Sequence, residues 1–250
     1  MMRMEYKYIV PISQIDSLRQ QMLPYLEYDP NSKNFENKHY TVKSIYLDSS
    51  NLKDYHDKIE SINRRKKVRI RGYNNIDSCS KVFLELKKKI GSHVYKNRAL
   101  ISYCDLEDFL SNRNYDLIES KKYKSDAEKF LYHYTRGSLN PITLVTYERE
   151  AFFSKFDNTL RITFDKNIRF QKAANFEALS LDHQYEAINH DFFVLEIKFS
   201  KGFPDWLQNI LFAHKLTRKS FSKYAESVDS LINLSSSSFS TELKHRNIYV

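Results

Sequence analysis

Lys66–Gly72 reads KKVRIRG, and its alternation decides how the rest of the chain is read. Arg69 and Arg71 stand two residues apart, with Val68 and Ile70 on the other parity. Successive side chains of a strand point to opposite faces, so the arginines share one face and the apolar residues share the other. A single strand of this kind is what a solvated sheet face looks like. Here the pattern recurs. Glu5 and Lys7 are two apart in RMEYKYIV, as are Glu85 and Lys87 in KVFLELKKK and Lys96 and Arg98 in VYKNRALI. Arg161 and Asp165 flank Thr163 in LRITFDK, and Glu196 and Lys198 are two apart in FFVLEIKF. Ordinary surfaces do not gather charge on one parity of strand after strand.

The apolar parity must be covered, and the helical segments have apolar faces of their own to cover it with. Helices outside would turn the charged parity inward. In the usual arrangement apolar residues fill the barrel and charges face water; with the helices outside, the expected fold is instead α+β, a closed antiparallel β tunnel of about eight strands, wide enough for side chains or one small ligand. Like charges buried together cost several kcal/mol each unless paired or neutralised. Such a lumen makes sense with a polyanionic guest, a few carboxylates and water. A phosphate- or sulfate-bearing chain fits, because Arg offers paired donors to phosphate oxygens.

Composition sets the outer limits. The 250 residues include 18 Tyr and 17 Phe, with 41% hydrophobic residues, enough for a sizeable core in one large domain. With 4 Gly and 5 Pro the chain is not dominated by loops. Its net charge of +9 points to an anionic partner. Cys79 and Cys104 have neither metal-ligand spacing nor a disulfide framework, which suits a reducing compartment. No signal peptide and no apolar run of about 18 residues is seen, so a cytoplasmic location is expected. No GxxxxGK[ST] or GxGxxG loop, HExxH spacing or nucleophile elbow is present. His93, His133 and His183 read as surface or packing residues. Aromatics fall mostly on the parity opposite the charges, which suits a core better than a nucleic-acid stacking platform.

Along the chain, strands are expected at 3–10, 40–47, 66–72, 81–89, 93–102, 142–153, 159–166 and 192–199. Ser13 is expected to cap a helix carrying Ile15, Leu18 and Met22, and 29–37 to be a loop. A short helix follows Asp48, with Leu52, Tyr55 and Ile59 inward. Gly91-Ser92 turns one strand into the next. Asp105 is expected to cap a helix with Leu106, Phe109 and Leu110, and Ser125 with Glu128 to form a capping box before Phe130, Leu131 and Tyr134. Residues 171–190 read as an irregular connection. Two helices end the domain, one near Pro204 and one around Phe221, Tyr224 and Val228. Residues 1–234 read as one domain and 235–250 as a polar tail, serine-rich at 235–238.

Nine motifs in this order resemble the VTC domain of polyphosphate polymerases, within the triphosphate tunnel metalloenzyme (CYTH-like) superfamily. They are R-x-E-x-KY at 3–8, SIYLDS at 44–49, KKVRIRGY at 66–73, FLELKKK at 83–89 and YKNRALI at 95–101. YEREAF at 147–152, LRITFDKNI at 160–168, LEIKF at 195–199 and SFSKY at 220–224 complete them. The resemblance implies phosphate binding by Lys7, Arg69, Arg71, Lys87, Lys96, Arg98, Arg149, Arg161, Lys198 and Lys223. Among these it implies Arg69, Arg71, Arg161 and Lys198 as the catalytic cations. Glu196 falls where the family keeps a carboxylate for Mn²⁺ or Mg²⁺, with Glu5 as a second candidate. The superfamily's enzymes open E-x-E-x-K, whereas this chain has Arg3 at the first position. That places it nearer the VTC branch and thins the metal site.

The implied activity is transfer of the terminal phosphate of ATP or another nucleoside triphosphate to a growing polyphosphate chain. Such transfer needs mainly positioning and stabilisation of spread charge, which Arg and Lys clamps with one divalent ion supply. Alternatives are a metal-dependent hydrolase of tri- or polyphosphate and a non-catalytic polyphosphate sensor. A membrane-protein partner encoded elsewhere would be compatible, and nucleic acid is disfavoured. Glu85 and Asp165 read as counter-ions for their cationic neighbours. Lys223 falls on a helix, where the alternative is a solvated lysine; its SKY context favours a helix capping the tunnel mouth.

Overall fold

A computed structural model describes residues 3–33, 38–181, 186–187 and 191–233. It is α+β. The strands are β1 (Met4–Pro11), β2 (Leu26–Tyr28), β3 (Tyr40–Asp48), β4 (Arg64–Tyr73), β5 (Lys81–Ile90), β6 (His93–Ser102), β7 (Asn140–Ser154), β8 (Arg161–Lys172), β9 (Glu186–Ala187) and β10 (Phe192–Phe199). The helices are α1 (Ile15–Met22), α2 (Pro30–Lys33), α3 (Lys53–Ile59), α4 (Leu106–Asn112), α5 (Lys121–Arg136) and α6 (Asp205–Ala213), and residues 223–233 are also helical. Hydrogen bonding orders the strands β1-β10-β8-β7-β3-β4-β5-β6, with β2 on β7 and β9 on β8. All eight expected strands are present, and the two unexpected ones are short.

The chain forms two compact units, one of residues 1–42, 146–169 and 189–222, the other of 43–145, 170–188 and 223–250. In the first, β1 pairs with β10 and β10 with β8, both antiparallel. The parity of Tyr8, Val10, Ile162, Phe164, Leu195 and Ile197 packs against Leu18 and Met22 of α1 and Leu207, Ile210 and Leu211 of α6. In the second, β4, β5 and β6 form an antiparallel meander. Val68, Ile70, Leu84, Leu86, Ala99 and Ile101 are buried with Phe109 of α4 and Phe130 of α5. Each fully buried Leu, Ile or Phe contributes about 1.5–3 kcal/mol, so these parities fix the register. Ile90 pairs with His93 across a two-residue turn, and Gly91 takes φ +59° there, which costs glycine little.

Several local expectations are corrected. Ser13 lies in a 3₁₀ turn (Ile12–Gln14), and α1 starts after Gln14 with no side-chain cap. The Ser125–Glu128 box is interior to α5. The real cap is Ser120, five residues before Ser125; the Ser120 Oγ accepts from the Lys122 amide. Asp105 holds the N-cap position without a side-chain cap bond. Residues 26–33 carry β2 and α2, because Asp29 Oδ1 accepts from the Asn31 amide and turns the chain. Within 171–190, β8 runs on to Lys172 and a 3₁₀ turn spans Phe176–Leu179. The expected tail at 235–250 lies outside the described residues.

Candidate functional site

In the second unit, cross-strand register stacks the charged parity of β4, β5 and β6 into rows. Arg71 lies opposite Phe83 and Leu100; Arg69 opposite Glu85 and Arg98; Lys67 opposite Lys87 and Lys96; Arg65 opposite Lys89 and Val94. These four rows hold eight cations and one carboxylate. Like charges directly opposite one another destabilise a strand pair, so this face is built at a cost.

Glu85 offsets part of it. Its Oε2 accepts from Arg69 Nε at 2.7 Å and lies 3.9 Å from Arg71 Nη1, while Oε1 is 3.2 Å from Arg98 Nε. Burial opposes ionisation of Glu85, but the three guanidinium groups outweigh it and hold its pKa at about 2. Arg71 is buried and donates to Ser44 Oγ at 3.0 Å. Arg69 donates to Tyr46 Oη at 3.0 Å, and Arg98 donates to Tyr73 Oη and lies over the Phe83 ring. Tyr46 in turn stacks on Tyr224, whose hydroxyl donates to the fully buried Asp48 at 2.6 Å. Burial alone would push the Tyr46 phenol up, yet Arg69, Arg71 and Lys223 bring it below its ordinary value. Lys223, at the start of the last described helix, is 9% exposed, so it is not a solvated lysine.

The first unit is arranged differently. Its charged parity aligns Glu5 with Lys198 and Arg161, and Lys7 with Glu196 and Thr163. Lys7 Nζ lies 3.4 Å from Glu5 Oε1 and 3.7 Å from Glu196 Oε2, and it donates to the Phe221 carbonyl. Lys198 pairs with Glu196. Arg161 Nη2 lies 2.9 Å from Asp29 Oδ2 and also donates to Tyr40 Oη. Arg149 grips Asp165 with two bonds, at 2.6 and 2.7 Å, and both residues are buried. Burial works against the Arg149 charge, but Asp165 raises its pKa well above the ordinary value. Among the described residues, the Thr163 hydroxyl and Arg161 Nε are buried polar atoms without a hydrogen-bond partner. The opposite parity also carries a buried charge, Glu150, held by Arg19 at 2.8 Å and Lys166 at 3.0 Å.

The first unit offers a divalent ion few protein ligands. Among the described residues, no group of three or more His, Cys, Asp or Glu side chains forms a metal cage. Glu196 and Glu5 converge on one ammonium, and an unpartnered hydroxyl lies beside Glu196 in register. That donor set suits a hard cation taking most of its ligands from phosphate and water.

All twelve sequence-predicted residues are thus placed in two groups: Arg69, Arg71, Lys87, Lys96, Arg98 and Lys223 in the second unit, Glu5, Lys7, Arg149, Arg161, Glu196 and Lys198 in the first. The alternation reading passed over Lys67, although it shares parity with Arg69. It also passed over Ser44 and Tyr46, which stand inside the quoted SIYLDS. Asp29 and Tyr40 had no local signal, since they meet Arg161 from distant sequence.

A sequence profile of the VTC domain matches residues 2–232. The chain belongs to the VTC domain family. Two relatives of this VTC domain are named vacuolar transporter chaperone complex subunit 4. The one from Schizosaccharomyces pombe is 24% identical over 247 residues, covering 84% of this chain and 34% of the relative. The one from Trypanosoma brucei brucei is 22% identical over 227 residues, covering 76% and 28%. The chain therefore spans about a third of the length of the curated relatives it matches. Among solved structures, a Bacillus halodurans protein provisionally named an adenylate cyclase superposes with a TM-score of 0.51 at 12% identity, over 88% of this chain and 94% of its own. A Hippeastrum protein, provisionally named an adenylyl cyclase and described as having a dominant triphosphatase activity, gives 0.51 at 14% identity, over 92% and 96%. At these identities the likeness to the solved structures is one of fold.

Proposed function

We propose that this chain is a phosphotransferase of the polyphosphate-polymerase type, moving the terminal phosphate of a nucleoside triphosphate onto a growing polyphosphate chain. The closed tunnel with a charged lumen that the resemblance implies is part of this reading, as is the treatment of residues 1–234 as one domain. The observation that carries it is the charge of the β4–β6 face, eight cations to one carboxylate in register. A face of this charge suits a polyanionic ligand.

In this reading Arg69, Arg71 and Arg98 trade part of their contact with Glu85 for phosphate oxygens, and Lys87 and Lys96 extend the contact along the strands. Lys7, Lys198 and Arg161 orient phosphate in the first unit, and Lys223 contributes in the second. Arg149, locked to Asp165, acts by field and position. Glu196, with Glu5 second, would hold Mn²⁺ or Mg²⁺, which when bound neutralises charge developing on the transferred group. The terminal oxygen of an acceptor phosphate is already a nucleophile, so chain growth requires no general base. ATP as donor, a cytoplasmic location and a membrane-protein partner encoded elsewhere complete the proposal.

The test is incubation with ATP and Mn²⁺, or Mg²⁺, with products resolved by gel electrophoresis. Long-chain polyphosphate supports the polymerase. Orthophosphate alone would make the protein a hydrolase, and tight tripolyphosphate binding without turnover would make it a sensor.

A further inference from the structure

The cations of the β4–β5 hairpin do not stop at the charged face. In RRKK at 64–67 and KKK at 87–89, Arg65, Lys67, Lys87 and Lys89 share that face, while Arg64, Lys66 and Lys88 fall on the apolar parity. There the buried run of Val68, Ile70, Leu84 and Leu86 gives way to Lys66 directly opposite Lys88. Two lysines so placed repel each other, and nothing in the packing of the core asks for them.

These residues line a groove of about 350 Å³ between α3 and the hairpin, to which Lys53, Arg64, Arg65, Lys66, Lys88 and Lys89 contribute six cations. Its two carboxylates are already engaged: Asp54 with Lys66 at 2.6 Å and Asp57 with Lys53 at 3.0 Å. Among the described residues, Arg64, Lys88 and Lys89 make no ion pair. A second element senses the excess. His133 of α5 has its pKa lowered by burial and then by the positive charges of Lys88, Lys66 and Arg136.

We propose that this groove is a second binding site for phosphate chains, taking the part of a long polyphosphate that extends past the charged face of β4–β6. The inference rests on the phosphate-chain reading above. A linear, flexible polyanion can follow cations that pass around the hairpin from one face to the other, whereas a compact triphosphate reaches only one face. A phosphate chain is favoured over single-stranded nucleic acid because, among the described residues, no aromatic ring lines the groove to stack a base.

The experiment compares long-chain polyphosphate with tripolyphosphate, titrated at several NaCl concentrations against the parent protein, an Arg64→Gln/Lys88→Gln variant and an Arg69→Ala/Arg71→Ala variant. Losing two phosphate contacts should weaken long-chain binding about tenfold and flatten its log–log salt dependence by about 1.4, roughly 0.7 per contact. Tripolyphosphate affinity should stay within about twofold in Arg64→Gln/Lys88→Gln, which also shows that the variant is folded. Unchanged long-chain binding in that variant, or an equal loss for both ligands, overturns the groove. If Arg69→Ala/Arg71→Ala weakens neither ligand, the phosphate-chain reading itself fails. A single-stranded oligonucleotide that competes as well as polyphosphate would overturn the choice of occupant.

Discussion

In the first unit Lys7, Lys198, Arg149 and Arg161 each meet a carboxylate, from Glu5, Glu196, Asp165 and Asp29. In the second, Arg69, Arg71 and Arg98 share Glu85, and Lys67, Lys87 and Lys96 stand in one register row made only of lysines. The first arrangement matches each cation with a carboxylate of its own; the second sets three guanidinium groups around one carboxylate beside a row of lysines. Under the proposed function the first unit would supply position and the second the pull on anions, and substitutions should separate the two.

The sharpest break is expected at Glu196. Glu196→Gln should abolish metal-dependent turnover while tripolyphosphate still binds without metal, because a lost metal carboxylate acts mainly in the transition state. Full activity in this variant would remove Glu196 from the metal site. Next comes stability. Arg149→Ala leaves Asp165 buried without its partner and should cost about 3–5 kcal/mol in denaturant unfolding. A paired Arg149→Met/Asp165→Leu change should recover most of it. On the other side of the comparison, Arg69→Ala/Arg71→Ala should weaken tripolyphosphate binding by about 3 kcal/mol, roughly a hundredfold, as two charge-assisted bonds are lost. Calorimetry without metal reads this directly, and unchanged affinity would refute the assignment.

A pH titration sharpens the same contrast. The Glu85 pKa is depressed from 4.5 to about 2, so its contribution to stability is complete above pH 4.5 and is lost as pH falls toward 2. The loss should be about 3 kcal/mol and absent in Glu85→Gln. Asp54, raised by burial to about 6, works with the opposite sign: its contribution is present below pH 3.8 and lost as pH rises through 6. Stability should thus rise on acidification from pH 6 before it falls. The smallest effect is expected for Lys198→Ala, a loss of about 1–3 kcal/mol in metal-free tripolyphosphate binding.

How much of this could be read from the sequence depends on range. Period-two alternation located the faces of β4, β5, β6, β8 and β10, because burying Val68, Leu84 or Ile162 leaves their neighbours no other side. The order of motifs carried the family. What failed was short-range chemistry with several equivalent solutions. Ser120 and Ser125 look alike until the start of α5 is known, and Asp29-Pro30 marks a break in the chain without announcing the short elements on either side of it. Partners such as Tyr46 for Arg69 or Tyr40 for Arg161 join strands far apart in sequence, and no local rule pairs them. Glu150 breaks the alternation altogether, a charge on the apolar parity made tolerable by Arg19 from α1.

Under the proposed function, the sharing of Glu85 among three guanidinium groups bears on how fast a bound phosphate chain would move. A phosphate oxygen arriving at Arg69 would take the place of a carboxylate oxygen, and Glu85 would return when the phosphate leaves, so no guanidinium would be stripped of partners in between. Cationic rows recur at every second residue, about 6.8 Å along the strands, and each step becomes an exchange of partners rather than a bare separation of charge. Without Glu85 a chain would hold more firmly and slide more slowly. The carboxylate that weakens the grip is the one that keeps it from seizing.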